Sequence, residues 1–113
     1  MKPANDDQVV QAETALGLKF SEDFRKYVRE FGVASFFDHE LTGICEHKRL
    51  NVIDVTLEER EYSPGISRDW YVVEQTNFDG IVIWQSKDGT IYQSAPNATP
   101  QKKYDSLAEY IGS

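Results

Sequence analysis

Cysteine is almost absent from this chain: Cys45 stands alone among 113 residues. An internal disulfide is therefore excluded, and the composition suits a reducing compartment. Long apolar runs are missing as well. The longest strongly apolar run, Ile81-Val82-Ile83-Trp84, is far too short to span a bilayer. The opening residues from Met1 to Val10 hold one lysine and then polar side chains, without the apolar stretch of a signal peptide, so the expected location is the cytoplasm. Without secretion, the Asn97-Ala98-Thr99 sequon is expected to be a chance match. Positive charge is also scarce. Twelve Lys and Arg face nineteen Asp and Glu, for a net charge of −7. Nucleic-acid binding needs a basic footprint, and Lys48-Arg49 and Lys102-Lys103 are only isolated pairs.

What the chain does have suffices for one domain. A single domain of this length has a radius of gyration of about 13 Å and buries about two-thirds of its unfolded surface, with no need of a metal or disulfide. Hydrophobic residues make up 40% of it, including six Phe, six Tyr and two Trp. Asn5 or Asp6 is placed to cap a first helix with Val9, Val10, Ala12 and Leu16 at helical spacing, and Gly17 to end it. Ser21 caps a second, with Glu22 and Asp23 in its positive first turn, an inward stripe of Phe24, Tyr27, Val28 and Phe31, and Gly32 as its stop. Asn51 is a possible cap for a helix to Arg60, but Val52, Ile53, Val55 and Thr56 favour strand, and propensity leaves the segment undecided.

Beyond the Ser63-Pro64-Gly65 loop, three β-rich runs follow: Trp70 to Gln75, Ile81 to Gln85 and Thr90 to Ser94. Turns at Asn77-Phe78-Asp79-Gly80 and Lys87-Asp88-Gly89 separate them. Pro96 and Pro100 bracket a loop, and Ser106-Leu107-Ala108-Glu109 has the form of a capping box opening a short last helix. The predicted fold is α+β: N-terminal helices packed on an antiparallel β-sheet, closed by a short C-terminal helix. Trp70 and Trp84 read as core residues.

The stretch from His39 to His47, HELTGICEH, collects both histidines and the cysteine in nine residues. It begins like a zinc-protease helix, which needs histidines at i and i+4. Gly43 stands where the second would be, so that reading fails. His39, Cys45 and His47 would share one face of a regular strand, but His39 would lie about 20 Å from Cys45, so no metal is expected. A nucleophilic cysteine needs a positioned base, and His47 two residues along a strand is badly placed for it. Zinc-deaminase and phosphate-loop signatures are absent. Glu58-Glu59-Arg60-Glu61 lacks the apolar surroundings that would separate two carboxylate pKa values for catalysis. It reads as a solvated face or a partner contact. No cofactor and no enzymatic activity are expected.

The order of these pieces resembles the SUKH superfamily in its Smi/Knr-like branch. The resemblance rests on Ala12-Glu13 with Leu16-Gly17, then Phe20-Ser21-Glu22-Asp23-Phe24-Arg25-Lys26-Tyr27-Val28, then Gly32 and Leu41-Thr42-Gly43-Ile44. Asn51-Val52-Ile53 with Thr56 and Arg60, the stretch from Asp79-Gly80 to Lys87-Asp88-Gly89-Thr90-Ile91-Tyr92, and Ser106-Leu107 with Glu109-Tyr110-Ile111 continue it over nearly the whole chain. One departure is Ser21, which stands where the family has proline and still caps a helix. The resemblance favours a helix from Asn51 to Arg60. It also implies a non-enzymatic domain, since many bacterial members are immunity proteins that neutralise a cognate toxin, commonly a nuclease. The expected partner is then a toxin domain, a protein with basic character, met by an acidic surface. The expected contact residues are Asp38, Glu40, Glu46, Glu58, Glu59, Glu61 and Asp69. A regulatory or scaffold module binding an endogenous protein is the alternative.

Overall fold

The computed structural model describes residues 2–113. Helix α1 (Asp6–Leu16) starts at Asn5, whose side chain accepts from the Gln8 N–H while Gln8 reaches back to the Asn5 N–H, and it ends at Gly17 in the left-handed region. Helix α2 (Glu22–Phe31) is capped by Ser21 and stopped by Gly32. A short hairpin follows, β1 (Ser35–Phe36) with β2 (His39–Glu40). After a 3-10 turn at Lys48–Leu50 comes α3 (Val52–Tyr62), with Asn51 accepting from the Ile53 N–H. Strands β3 (Tyr71–Gln75), β4 (Val82–Gln85), β5 (Ile91–Ser94) and β6 (Gln101–Tyr104) and helix α4 (Leu107–Ile111) complete the chain. The α+β architecture matches the expectation from sequence.

The four long strands form one antiparallel sheet in the order β3-β4-β5-β6. Register shifts fall between Val72 and Glu74 and between Ile91 and Tyr92. Two cores result. The larger joins Leu16 and Ala12 of α1, Phe24 and Val28 of α2, and Leu107 and Tyr110 of α4 to Tyr71, Val73, Ile83 and Ile91. The smaller holds Val55 of α3 and Ile66 against Val72, Val82 and Trp84. The undecided segment is helical because Val52, Val55 and Thr56 turn one face to the sheet. The Thr56 Oγ1 accepts from the Val72 N–H at 3.0 Å. Burial on a helical period overrides β-branched propensity here.

Four details differ from the sequence reading. Val10 is 56% exposed and Phe31 39%, so neither belongs to the inward stripes of their helices. The segment after Pro100 is a strand, β6, and Lys102-Lys103 lie in it. Of the two Asp-Gly turns, Asp79-Gly80 has both residues at positive φ, whereas at Asp88-Gly89 only the glycine does. Trp84 is fully buried, its Nε1–H donating to the Ser94 Oγ at 2.8 Å, but Trp70 is only partly covered and stacks on Tyr92 with ring centroids 3.9 Å apart.

Candidate protein-binding surface

HELTGICEH is not one strand. His39-Glu40 form β2, and Gly43 makes a bridge to Asn51. A Cβ on Gly43 would lie 2.1 Å from the Gly32 carbonyl oxygen, so the two backbones touch only because this residue has no side chain. That contact ties the end of α2 to the start of α3: Ile44 donates to Gly32, Gly43 to Leu50, and Val52 to Gly43, each at 2.8 Å. The reactive side chains go to separate partners. The His39 Nδ1 pairs with the Glu74 carboxylate at 3.0 Å, and the Cys45 thiol donates to the His47 carbonyl at 3.5 Å. His39 is mostly covered, with 17% of its side chain exposed. Leu41 packs inward, while Ile44 and Cys45 are half-buried. Among the described residues no group of three or more potential ligands is gathered for a metal ion.

Two buried carboxylates that the sequence did not mark as buried hold elements together, Glu74 in this region and Glu13 between the first two helices. Glu74 on β3, 6% exposed, accepts from the Glu40 N–H at 2.9 Å and from the Tyr110 hydroxyl, besides pairing with His39. It thereby pins the hairpin to the sheet and to α4. Burial and that carboxylate both push the Tyr110 hydroxyl up in pKa, so it stays protonated and donates. Glu13 on α1, 4% exposed, accepts from the Phe20 N–H at 2.8 Å and from the Arg25 guanidinium at 2.8 and 3.1 Å, fixing α1 against α2. Nothing in Glu13's sequence surroundings beyond the Ala12-Glu13 pattern, and nothing in Tyr71-Val72-Val73-Glu74-Gln75, marked these side chains as buried.

The seven expected contact residues fall in several places. Asp38 is exposed at the tip of the hairpin. Glu40 is exposed but engaged: Arg49 donates to both of its oxygens, at 2.7 and 3.1 Å, and this holds its carboxyl below the usual range. Glu46 borders a cleft of about 530 Å³ with Gln8, Gln11 and Ile53. Asp69 borders another, of about 660 Å³, with Lys19, Lys87 and Trp70. Glu59 is half-buried and accepts from the Gln75 amide at 2.7 Å, which makes it part of the α3–sheet contact.

Glu58 and Glu61 remain on the outer face of α3. With Asp54, Leu57 and Tyr62 they occupy positions i, i+3, i+4, i+7 and i+8, and all five are exposed. Leu57 is 44% and Tyr62 74% exposed. None of the three carboxylates takes part in an ion pair among the described residues. Arg60, on the same helix, turns away and donates to the carbonyls of Leu16 and Arg68. The geometry suits an uncompensated acidic strip with apolar contacts beside it.

A family model described as SMI1-KNR4 cell-wall, SUKH_5, matches residues 1–113. The chain belongs to the SUKH family. No curated protein matches it. Within this SUKH domain the structure supplies physical reasons for the pattern that carried the resemblance. Glu13 locks α1 to α2, Gly32 and Gly43 let two backbones meet, and Thr56 fixes α3 on β3. Among the described residues no helix is long and apolar enough to cross a membrane.

Proposed function

We propose that this SUKH domain is an immunity protein: it binds a cognate toxin domain stoichiometrically and blocks it, with no reaction of its own. The observation that carries the reading is the α3 face, where Asp54, Glu58 and Glu61 stand exposed beside Leu57 and Tyr62 and form no ion pair among the described residues. Family membership over the whole chain supports it. In a protein of net charge −7, such a face speeds encounter with a basic partner and matches its potential. A nuclease, basic because it holds nucleic acid, is the toxin class this chemistry favours. One chain of buried polar groups holds the sheet to α2 and α4. Tyr71 donates to Gln85 at 2.7 Å, Gln85 donates to Asp23 at 3.0 Å, and Asp23 accepts from the Leu107 N–H at 2.8 Å.

The test is co-expression with the toxin domain encoded beside this gene. Protection of the cells, and a one-to-one complex of the purified proteins, are the expected results. Cells that die despite full expression of the folded domain would refute the reading.

A further inference from the structure

Among the described residues, the three most exposed large hydrophobic side chains are Phe37 at 89%, Tyr62 at 74% and Phe78 at 65%. They come from distant parts of the chain, yet the fold sends them to one end. Thr42 donates to the Val73 carbonyl at 2.8 Å and Glu40 to the Glu74 carboxylate at 2.9 Å, so β2 runs antiparallel along β3. The hairpin tip, Phe37-Asp38, therefore lies beyond the C-terminal end of β3. The β3–β4 turn, with Phe78-Asp79, leaves from that same end. Helix α3 points its C-terminus there too. Glu59 binds Gln75 at 2.7 Å, and Tyr62 and Ser63 share a cleft of about 360 Å³ with Asn77, Gly80 and Ile81.

Each of the three aromatic residues has a carboxylate next to it in sequence: Asp38, Glu61 and Asp79. The segments meeting at this end, 35–40, 61–66, 76–81 and 95–100, contain no lysine or arginine. Arg49, which reaches Glu40, is neutralised by it. Phe37 also sits at φ +54° in a two-residue turn. Asn77 and Asp79, at +57° and +53°, are residue types that tolerate this region. A phenylalanine does not, and glycine would satisfy the turn at lower conformational cost. An exposed ring is thus kept where the backbone disfavours it, on a hairpin held rigid by the buried Glu74 and by Tyr27, whose hydroxyl accepts from Ala34 at 3.0 Å and donates to Thr42 at 2.8 Å. Local strain of this kind is characteristic of binding sites.

Accepting the immunity reading, we infer that this end of the domain is the toxin-docking face, with Phe37 as its central anchor and Tyr62 and Phe78 as flanking contacts. The matching surface on the toxin has apolar pockets rimmed by lysine and arginine. The domain measures 37 × 28 × 25 Å, so a standard patch of about 800 Å² spans all three turns. Preformed aromatic anchors of this sort carry a disproportionate share of binding energy.

The deciding experiment compares the affinity of the wild-type chain, Phe37→Gly, Phe37→Tyr and Phe78→Ser for the neighbouring toxin domain, with melting temperatures alongside. Phe37→Gly is expected to bind about 30-fold more weakly or worse, the threshold of a hot-spot residue, while its melting temperature stays level or rises. Phe37→Tyr should bind within about threefold of wild type, because the ring is retained. Wild-type affinity in Phe37→Gly, whatever Phe78→Ser does, overturns the docking face and leaves the immunity reading standing. A wild-type chain that does not bind the toxin domain overturns both. Phe37-dependent pelleting with phosphatidylglycerol vesicles, or a dimer lost in Phe37→Gly, would assign the anchor to a membrane or to a second copy and equally overturn the proposal.

Discussion

At the scale of single residues, the decisive groups are polar side chains that burial has committed to fixed partners. Glu74 serves His39, Tyr110 and the Glu40 N–H at once. Replacing it with alanine leaves the buried Tyr110 hydroxyl and the partly covered His39 ring and Glu40 N–H without their acceptor, so Glu74→Ala is expected to cost about 3 kcal/mol in a urea unfolding titration. Its neighbours in sequence, Tyr71-Val72-Val73, gave no hint of this, because a strand residue's surroundings depend on which element crosses its face. Asp88 illustrates a smaller, exposed case. The Ser86 hydroxyl, then the Thr90 N–H at 3.0 Å, lower its carboxyl from 3.8 to about 2. A depressed carboxylate stabilises the fold fully above its unfolded pKa, and the contribution fades as pH falls through the folded value. Asp88→Asn should therefore be less stable than wild type at pH 7 by under about 1 kcal/mol, since solvent screens the site. The gap should close as pH drops from about 4 to 2. A gap that persists at pH 2 would contradict the assignment.

Among elements, helix boundaries were the most legible feature. Asn5, Ser21 and Ser106 act as caps, and Gly17 and Gly32 as stops, because these functions are local and depend on residue type. α3 was undecided for the opposite reason. Its β-branched residues favour strand, and the helix is fixed by contacts with Val72 and Gly43 that are distant in sequence. Asn51 holds that junction together, accepting from Ile53 at 2.9 Å and donating to the Cys45 carbonyl at 2.8 Å. Asn51→Ala is expected to lower stability by about 1–2 kcal/mol. Gly43→Ala should be worse, by about 3 kcal/mol or more, because the contact is with backbone that has no room to yield. Thermal melts of the two variants test the order, and a tolerated Gly43→Ala would refute the close approach. Strand β6 escaped the sequence reading because Gln101-Lys102-Lys103-Tyr104 is polar. An edge strand paired only to β5 has no need of alternating apolar residues, and lysines protect its open side.

For the whole molecule, charge sets the kinetics of any encounter and shape sets its place. Reversing the α3 strip with Glu58→Lys and Glu61→Lys should slow association with a basic toxin domain at least about tenfold at low salt. The rates should converge with wild type near 1 M salt, where the screening length shrinks to about 3 Å. Stopped-flow measurements across ionic strength check this, and a salt-independent difference would point to lost contacts instead of lost steering. Sequence alone determined the α+β class, the capped helices, the acidic balance and the likeness to the SUKH family, because each depends on residue type and short-range order. It also led to seven acidic candidates that it had no means of sorting. Only the tertiary structure separated Glu40, held by Arg49, and Glu59, spent on Gln75, from Glu58 and Glu61, which are exposed and form no ion pair among the described residues. Only it brought Phe37, Tyr62 and Phe78 to one end of β3, because the pairing of strands and the packing of α3 place residues by long-range contact. HELTGICEH shows the same division. Gly43 in place of a second histidine removed the zinc-protease helix reading from sequence, while the partners of His39 and the need for glycine at position 43 came from chain segments that only folding brings close.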